Sequence, residues 1–409
     1  MTSSLVVAFA MMLAVPVMAE PIATNYFYAT WSWTDKPVLD NVVNRTWMWG
    51  PEAFSDAFQE PYVDAPNGAR LVQYYDKSRM EITKPADPYG PWYVTNGLLV
   101  TELITGSLQL GDNTFEQLVP ADNNVVGDVD QARPITYGHL QAVLQAPALS
   151  PGDPINQRAE VTSDGSLRTF ADTATGSRGV DAVHYVAETN HTIAAPFWEF
   201  MNATGPTYGY SLPFDQGDFT NGPLFESPYY ATGFPVTEAY WTYAQVDGDV
   251  RDVLFQCFQR RCLTYTPENP EGWKVEAGNV GQHYYRWRYG DETPPVIGTP
   301  DVDIIELWPG ETFGRPGPVE EYITIRNNEP DNVEFGSWYL VDQHNDFFYV
   351  FDNISLAPGE TLTIYSCGGG SGPGTIDVGY CDSWWDWGDY ALLYDPQGSL
   401  VSYWYISSQ

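Results

Sequence analysis

Several absences narrow the chemistry of this chain. It has five histidines in 409 residues, His139, His184, His191, His283 and His344, and none sits in an HExxH spacing. No GxSxG, CxxC or P-loop pattern occurs either, so a zinc-bound water, a serine elbow and a phosphate cradle all lack their motifs. Bases are scarce: 18 Lys and Arg stand against 53 Asp and Glu, a formal charge of −35. That excludes general nucleic-acid binding, which needs a basic footprint to neutralise phosphates. Beyond the first residues no stretch approaches the ~20 apolar residues of a membrane span. Charged residues make up only 17 % and aromatics 15 %, so this is a folding chain and not an acidic disordered one. Its acidity favours solubility outside the cell.

The single long apolar run, Leu5 to Met18, lies in Met1–Ala19 and ends on Val17-Met18-Ala19 before Glu20. Small residues at −3 and −1 predict a signal peptide at 1–19, cleaved after Ala19, although no Lys or Arg precedes the run. A secreted or cell-surface location makes the cysteines readable. There are four, in two local pairs, Cys257 with Cys262 and Cys367 with Cys381, and local pairs in an exported chain read as disulfides. On one extended strand Cys257 and Cys262 would be roughly 17 Å apart, whereas a bridge needs about 4.4–6.8 Å. The spacing therefore predicts a tight turn over Phe258-Gln259-Arg260-Arg261.

What the chain has in place of a catalytic motif is an internal repeat. Gln73 falls on Gln256, 183 residues on, with Tyr75 on Phe258, Lys77 on Arg260 and Met80 on Leu263. Upstream, Gly50 falls on Gly233, and Phe54-Ser55-Asp56-Ala57-Phe58 reads like Val236-Thr237-Glu238-Ala239-Tyr240; downstream, Trp92 and Gly97 match Trp273 and Gly278. A duplicated unit is one structural module twice. The pattern predicts repeat module 1 over 20–106, a spacer with a short helix at 107–190 and repeat module 2 over 191–291. Gly138 to Ala146 and Ala194 to Asn202 are the expected helices, and Leu99/Leu103 with Val280/Tyr284 mark a helix closing each copy.

A Pro-rich linker at 292–300 leads into different texture. From 301 to 409, short alternating segments recur between turn signals: Val302 to Trp308, Tyr322 to Arg326, Trp338 to Asp342, Phe347 to Phe351, Leu362 to Cys367, Tyr390 to Asp395 and Leu400 to Tyr405. About seven such strands argue a β-sandwich. Within it Glu321-Tyr322-Ile323-Thr324-Ile325-Arg326-Asn327-Asn328, Ser337-Trp338-Tyr339-Leu340-Val341-Asp342, Leu356-Ala357-Pro358-Gly359-Glu360 and Trp387-Gly388-Asp389-Tyr390-Ala391-Leu392-Leu393-Tyr394-Asp395 occur in order. In these motifs the segment resembles the lamin-tail domain. The resemblance implies an immunoglobulin-like accessory module, often beside hydrolases in exported bacterial proteins, with no catalytic residue to carry over. Thr232-Gly233-Phe234-Pro235-Val236-Thr237-Glu238-Ala239 followed by Gln256-x-Phe258-x-Arg260 resembles uncharacterised exported proteins of the Chloroflexi type, which implies nothing about activity. The fold class read from all this is a duplicated mixed α+β module followed by an all-β immunoglobulin-like sandwich.

Candidate residues are weighed on that frame. Asp56 and Glu238 follow Ser55 and Thr237; they read as capped helix starts, or as a glycosidase pair if ~5–9.5 Å apart. Asp122, Asp128 and Asp130 crowd one loop without EF-hand spacing, so it reads as solvated and no metal is expected. The histidines read as packed or capping residues. Ten of the 18 bases lie near the repeats: Arg70, Lys77, Arg79 and Lys84 in the first, Arg251, Arg260, Arg261, Lys274, Arg286 and Arg288 in the second. Lys77, Arg260 and Arg261 beside Trp92 and Trp273 form the candidate binding set, with an anionic glycan or cell-wall polymer as the partner; the competing reading is internal ion pairing. The sequence expects an exported non-enzymatic binding protein without cofactor. The alternative is an extracellular polymer hydrolase with its catalytic groups in the duplicated region.

Overall fold

A computed structural model of the protein describes residues 25–65, 68–83, 92–172, 178–209, 217–290, 300–310, 321–336, 338–342, 348–352, 354–368, 372–379, 384–385, 390–395 and 400–406. The expected leader at 1–19, residues 292–299 of the expected linker, Lys84, His344 and Cys381 lie outside them.

After helix α1 (Asn25–Thr34) comes a four-stranded antiparallel sheet of β1 (Phe58–Pro61), β2 (Ala69–Tyr75), β3 (Ser78–Ile82) and β4 (Thr95–Asn96), paired in that order. Helix α2 (Leu99–Thr105) follows and stops at Gly106, whose φ of 72° supplies the left-handed turn. Then come β5 (Gln157–Val161), β6 (Leu167–Ala171) and helix α3 (Ala195–Met201), with Pro196 in its first turn. The second hairpin unit has β7 (Tyr240–Val246), β8 (Asp249–Cys257), β9 (Cys262–Tyr265), β10 (Val275–Ala277) and helix α4 (Val280–Tyr289). Its sheet runs β10-β9-β8-β7-β5-β6, with β7 parallel to β5 through Trp241 and Arg158. The expected spacer thus supplies two strands of the second sheet. Its expected helix is a single 3₁₀ stretch, Gly138–Val143, that buries Leu140 and Val143.

The two hairpins share a set of pairings and hydrogen bonds. Gln73 pairs with Met80 across β2–β3, and Gln256 with Leu263 across β8–β9. Gln73 Nε2 donates to Ser55 O at 3.1 Å, and Gln256 Nε2 to Thr237 O at 2.9 Å. Ser55 Oγ accepts from the Tyr74 amide at 3.0 Å and Thr237 Oγ1 from the Cys257 amide at 3.1 Å. These hydroxyls therefore tie a loop to a strand; the helix starts expected at Ser55 and Thr237 do not exist, because both residues run into strands.

The units also grip each other. The amide of Gln282 in α4 donates to Asp76 O in the β2–β3 turn, and the amide of Thr101 in α2 donates to Gln259 O in the β8–β9 turn. Each helix start is thus capped by the other unit's turn, which satisfies amides that a helix leaves unpaired. Where the second unit bridges Cys257 to Cys262, directly opposite each other at a Cα separation of 4.0 Å, the first pairs Tyr74 with Arg79. Cys367 is also disulfide-bonded.

The C-terminal residues form two facing four-stranded sheets and a small two-stranded one, Val333–Glu334 paired with Ser355–Leu356. One four-stranded sheet orders Val302–Trp308, Tyr322–Asn327, Thr361–Tyr365 and Thr375–Asp377; the other orders Phe348–Val350, Tyr339–Asp342, Tyr390–Tyr394 and Leu400–Tyr405. Ile323, Ile325, Leu340, Ile364, Leu393, Trp338 and Trp385 fill the space between them. The strands fall within a residue or two of the sequence reading. The exceptions are Val333–Glu334, Ser355–Leu356 and Thr375–Asp377, two or three residues each and so too short to show an alternation.

Candidate functional site

Phe27 and Trp31 of α1 share a core with Leu71, Tyr75, Met80 and Ile82 of the first sheet, while Ala29, Thr30 and Trp33 of the same helix border a cleft. Its walls are Trp33 of α1, Met48 and Trp49 of the following loop, Met201 at the end of α3, and Phe225. The cleft encloses about 750 Å³, within the ~300–1,000 Å³ usual for small-molecule sites. One cation and one acid stand on its wall: Arg261 from the β8–β9 turn, only 1 % exposed, and Glu226, which is exposed to solvent. Nη1 of Arg261 donates to Met48 O, Nη2 reaches Asn96 Oδ1 at 3.5 Å, and the guanidinium lies 4.9 Å from the Trp49 ring centre. Burial pulls its pKa down to about 10, Asp35 acting against that pull.

The sequence-predicted binding residues divide around this cleft. Arg260 donates to Tyr230 O and lies over Trp92 at 5.9 Å, and Trp92 in turn packs on Tyr230, itself on the cleft wall. Trp92, Arg260 and Arg261 therefore converge. Lys77 and Trp273 lie apart: Lys77 Nζ donates to Ala277 O at 2.8 Å and to Asn279 Oδ1 at 3.2 Å, and Trp273 Nε1 to Asn44 Oδ1. Lys77 and Arg260 sit at the tips of the two turns yet are half-buried rather than exposed. Both turns dock on the opposite unit, and burial lowers the pKa of each base.

A second concentration of charge is sealed in the interior. Glu60, fully buried, accepts from Arg70 at 3.2 Å and Arg79 at 2.9 Å and forms an ion pair with Arg288 at 3.1 Å. Tyr74 and Tyr289 donate to its other oxygen, and Arg79 also meets Glu81 at 2.6 Å. Arg288 belongs to α4, so this cluster ties the units together, as the reading of internal ion pairing expects for those bases. The sequence could not reveal it, since acid and base come from four separate segments.

The remaining candidates are structural. Glu238 accepts from His191 Nδ1 at 3.0 Å and from the Thr192 amide at 2.9 Å, while Asp56 is exposed. Asp128 accepts both amides of the Asp247-Gly248 turn. Among the described residues no three His, Cys, Asp or Glu side chains cluster as a metal would need, and no helix is long and apolar enough to cross a membrane.

Residues 295–407 match the Lamin Tail Domain family. The C-terminal sandwich is a lamin tail domain. No curated protein matches the chain. The matched residues do not include those that line the cleft, which lie between Ala29 and Arg261.

His283 gives this region a pH response. It bonds Tyr137 Oη through Nδ1 at 3.1 Å, and burial, with Arg286 and Lys77 adding to it, lowers its pKa from 6.5 to about 4. The unfolded chain takes up this proton near pH 6.5 and the folded chain refuses it until about pH 4. Stability from this group is therefore complete above pH 6.5 and falls as pH drops toward 4, by about 3 kcal/mol at most. Urea midpoints at pH 7.5 and 4.5 check this: His283→Gln should remove most of the difference attributable to the imidazole, and an unchanged difference would overturn the assignment.

Proposed function

We propose that the protein is an exported, non-enzymatic binding protein that seats a small ligand in the cleft between α1 and Arg261, with the lamin tail domain as its accessory module. The carrying observation is the cleft itself: about 750 Å³, walled by Trp33, Met48, Trp49, Met201 and Phe225, with one buried cation. A few polar groups on an apolar wall suit recognition. Hydrolysis is disfavoured because Asp56 and Glu238 do not line this cleft and Glu238 is committed to His191 and Thr192. We read the two hairpin units as copies of one α+β module, supported by their matching Gln, Ser/Thr and turn hydrogen bonds. The likeness to exported Chloroflexi proteins rests on the sequence motifs of that module. A surface for an anionic glycan or cell-wall polymer is the second reading, favoured by Trp92, 49 % exposed beside Arg260.

A neutral apolar dye tests the first reading. N-phenyl-1-naphthylamine should bind wild-type protein at one site with a rise in emission. Ala29→Trp, which fills the cleft from the half-buried wall of α1, should abolish that rise. A wild-type protein that leaves the dye dark, or a variant that binds it equally, defeats the proposal.

A further inference from the structure

The group least explained by the fold is Arg261. Four arginines are 3 % exposed or less: Arg70, Arg79, Arg158 and Arg261. Arg70 and Arg79 meet Glu60 and Glu81, and Arg158 meets Asp172 and Asp252. Arg261 forms no ion pair among the described residues, although the chain carries 53 acids for 18 bases. Its Nε finds no hydrogen-bond acceptor there. Asp35 acts on it from a distance, but the Asp35 oxygens accept the amides of Met48, Trp49 and Gly50 at 2.9, 2.7 and 3.0 Å. The neighbouring Arg260 adds repulsion. Taking a guanidinium out of water without a contact anion is costly. The cost is relieved when a ligand supplies that anion, and a planar fork of donors is the shape that holds a carboxylate.

We infer that the cleft takes an amphiphilic monocarboxylate, with its apolar tail against Trp33, Met201 and Phe225 and its carboxylate on Arg261. This rests on the cleft being the binding site proposed above. The apolar wall alone would favour an alcohol over the carboxylate of equal chain length, because the carboxylate loses more hydration on entry. A preference for the anion therefore reports the guanidinium and not the wall. It also runs against the exposed Glu226 on the same cleft wall and against the net charge of −35, both of which repel anions.

The test is displacement of N-phenyl-1-naphthylamine from the full chain at pH 7.5 by octanoate and by 1-octanol. Octanoate should displace the dye at least tenfold more effectively than octanol. Arg261→Gln should invert that order, and Arg261→Lys, which keeps the charge but loses the fork, should reduce the preference several-fold. Equal displacement, or a preference for octanol, on wild-type protein overturns the inference while leaving the cleft a binding site. Absence of dye binding defeats the cleft itself, and with it this inference. A folded Arg261→Gln protein that keeps the full preference places the anion elsewhere and also overturns it. Should that variant fail to fold, the wild-type comparison and Arg261→Lys decide, since undiminished preference in the lysine variant counts against the inference.

Discussion

Alanine at Glu60 should destabilise the paired hairpin units by about 3–5 kcal/mol, the range for removing one partner of a buried ion pair. Glu60 is fully buried and receives three guanidinium groups and two phenols. Burial alone would push its carboxyl upward. Arg79, Arg288 and Arg70 outweigh burial and hold it well below the usual carboxylate range. Without it, Arg70 and Arg79 still meet Glu81, but Arg288 is left buried with no contact anion among the described residues. Glu60→Gln should cost nearly as much, because the amide keeps the shape and loses the charge. The sign with pH follows: a depressed carboxylate stabilises the fold above its unfolded value of 4.5, and the contribution is lost as pH falls. Urea unfolding followed by tryptophan emission measures this, and a cost under about 1 kcal/mol for Glu60→Ala would mean that the cluster is solvated.

Gly281→Ala should be of similar size, about 3 kcal/mol or more, at the upper end for overpacking. A Cβ on Gly281 would stand 1.9 Å from Tyr75 O, 2.5 Å from Ser78 O and 2.8 Å from Ser78 N. All three are backbone atoms of the β2–β3 turn, so no rotamer change relieves the clash, and α4 must lift off the other unit. Gly278→Ala is the control, since its nearest neighbours would be 3.9 and 4.0 Å away. That substitution should stay under about 1 kcal/mol. Equal losses at the two glycines would show that backbone entropy, and not the docking of turn on helix, governs the position.

Much of the local architecture is legible in the chain. Four residues between Cys257 and Cys262 demand a tight turn, and the structure has it. Alternating apolar residues between Gly- and Pro-containing turns place the sandwich strands, and the ordered motifs from Glu321 to Asp395 mark the lamin tail domain. The closing helices follow from Leu99/Leu103 and Val280/Tyr284, one turn apart on a single face. The misread hydroxyls of Ser55 and Thr237 show where the local rule stops. A Ser or Thr oxygen accepts whichever amide the fold presents, and here that amide belongs to a strand nearly twenty residues on.

Turn and strand positions were determined by the sequence itself, because they depend on dihedral preference and on the period of burial within a few residues. The fate of the bases was decided only by tertiary structure. Spacing places Lys77 and Arg260 at turn tips, yet each tip is covered by the helix of the other unit, and no local pattern records that contact. Likewise, nothing near Arg79 or Arg261 in sequence distinguishes a guanidinium ringed by carboxylates from one facing an apolar cleft. Coulomb attraction acts through space, so which acid reaches which base is a property of the assembled sheets and helices, and so is the burial of Arg261 without an ion pair among the described residues.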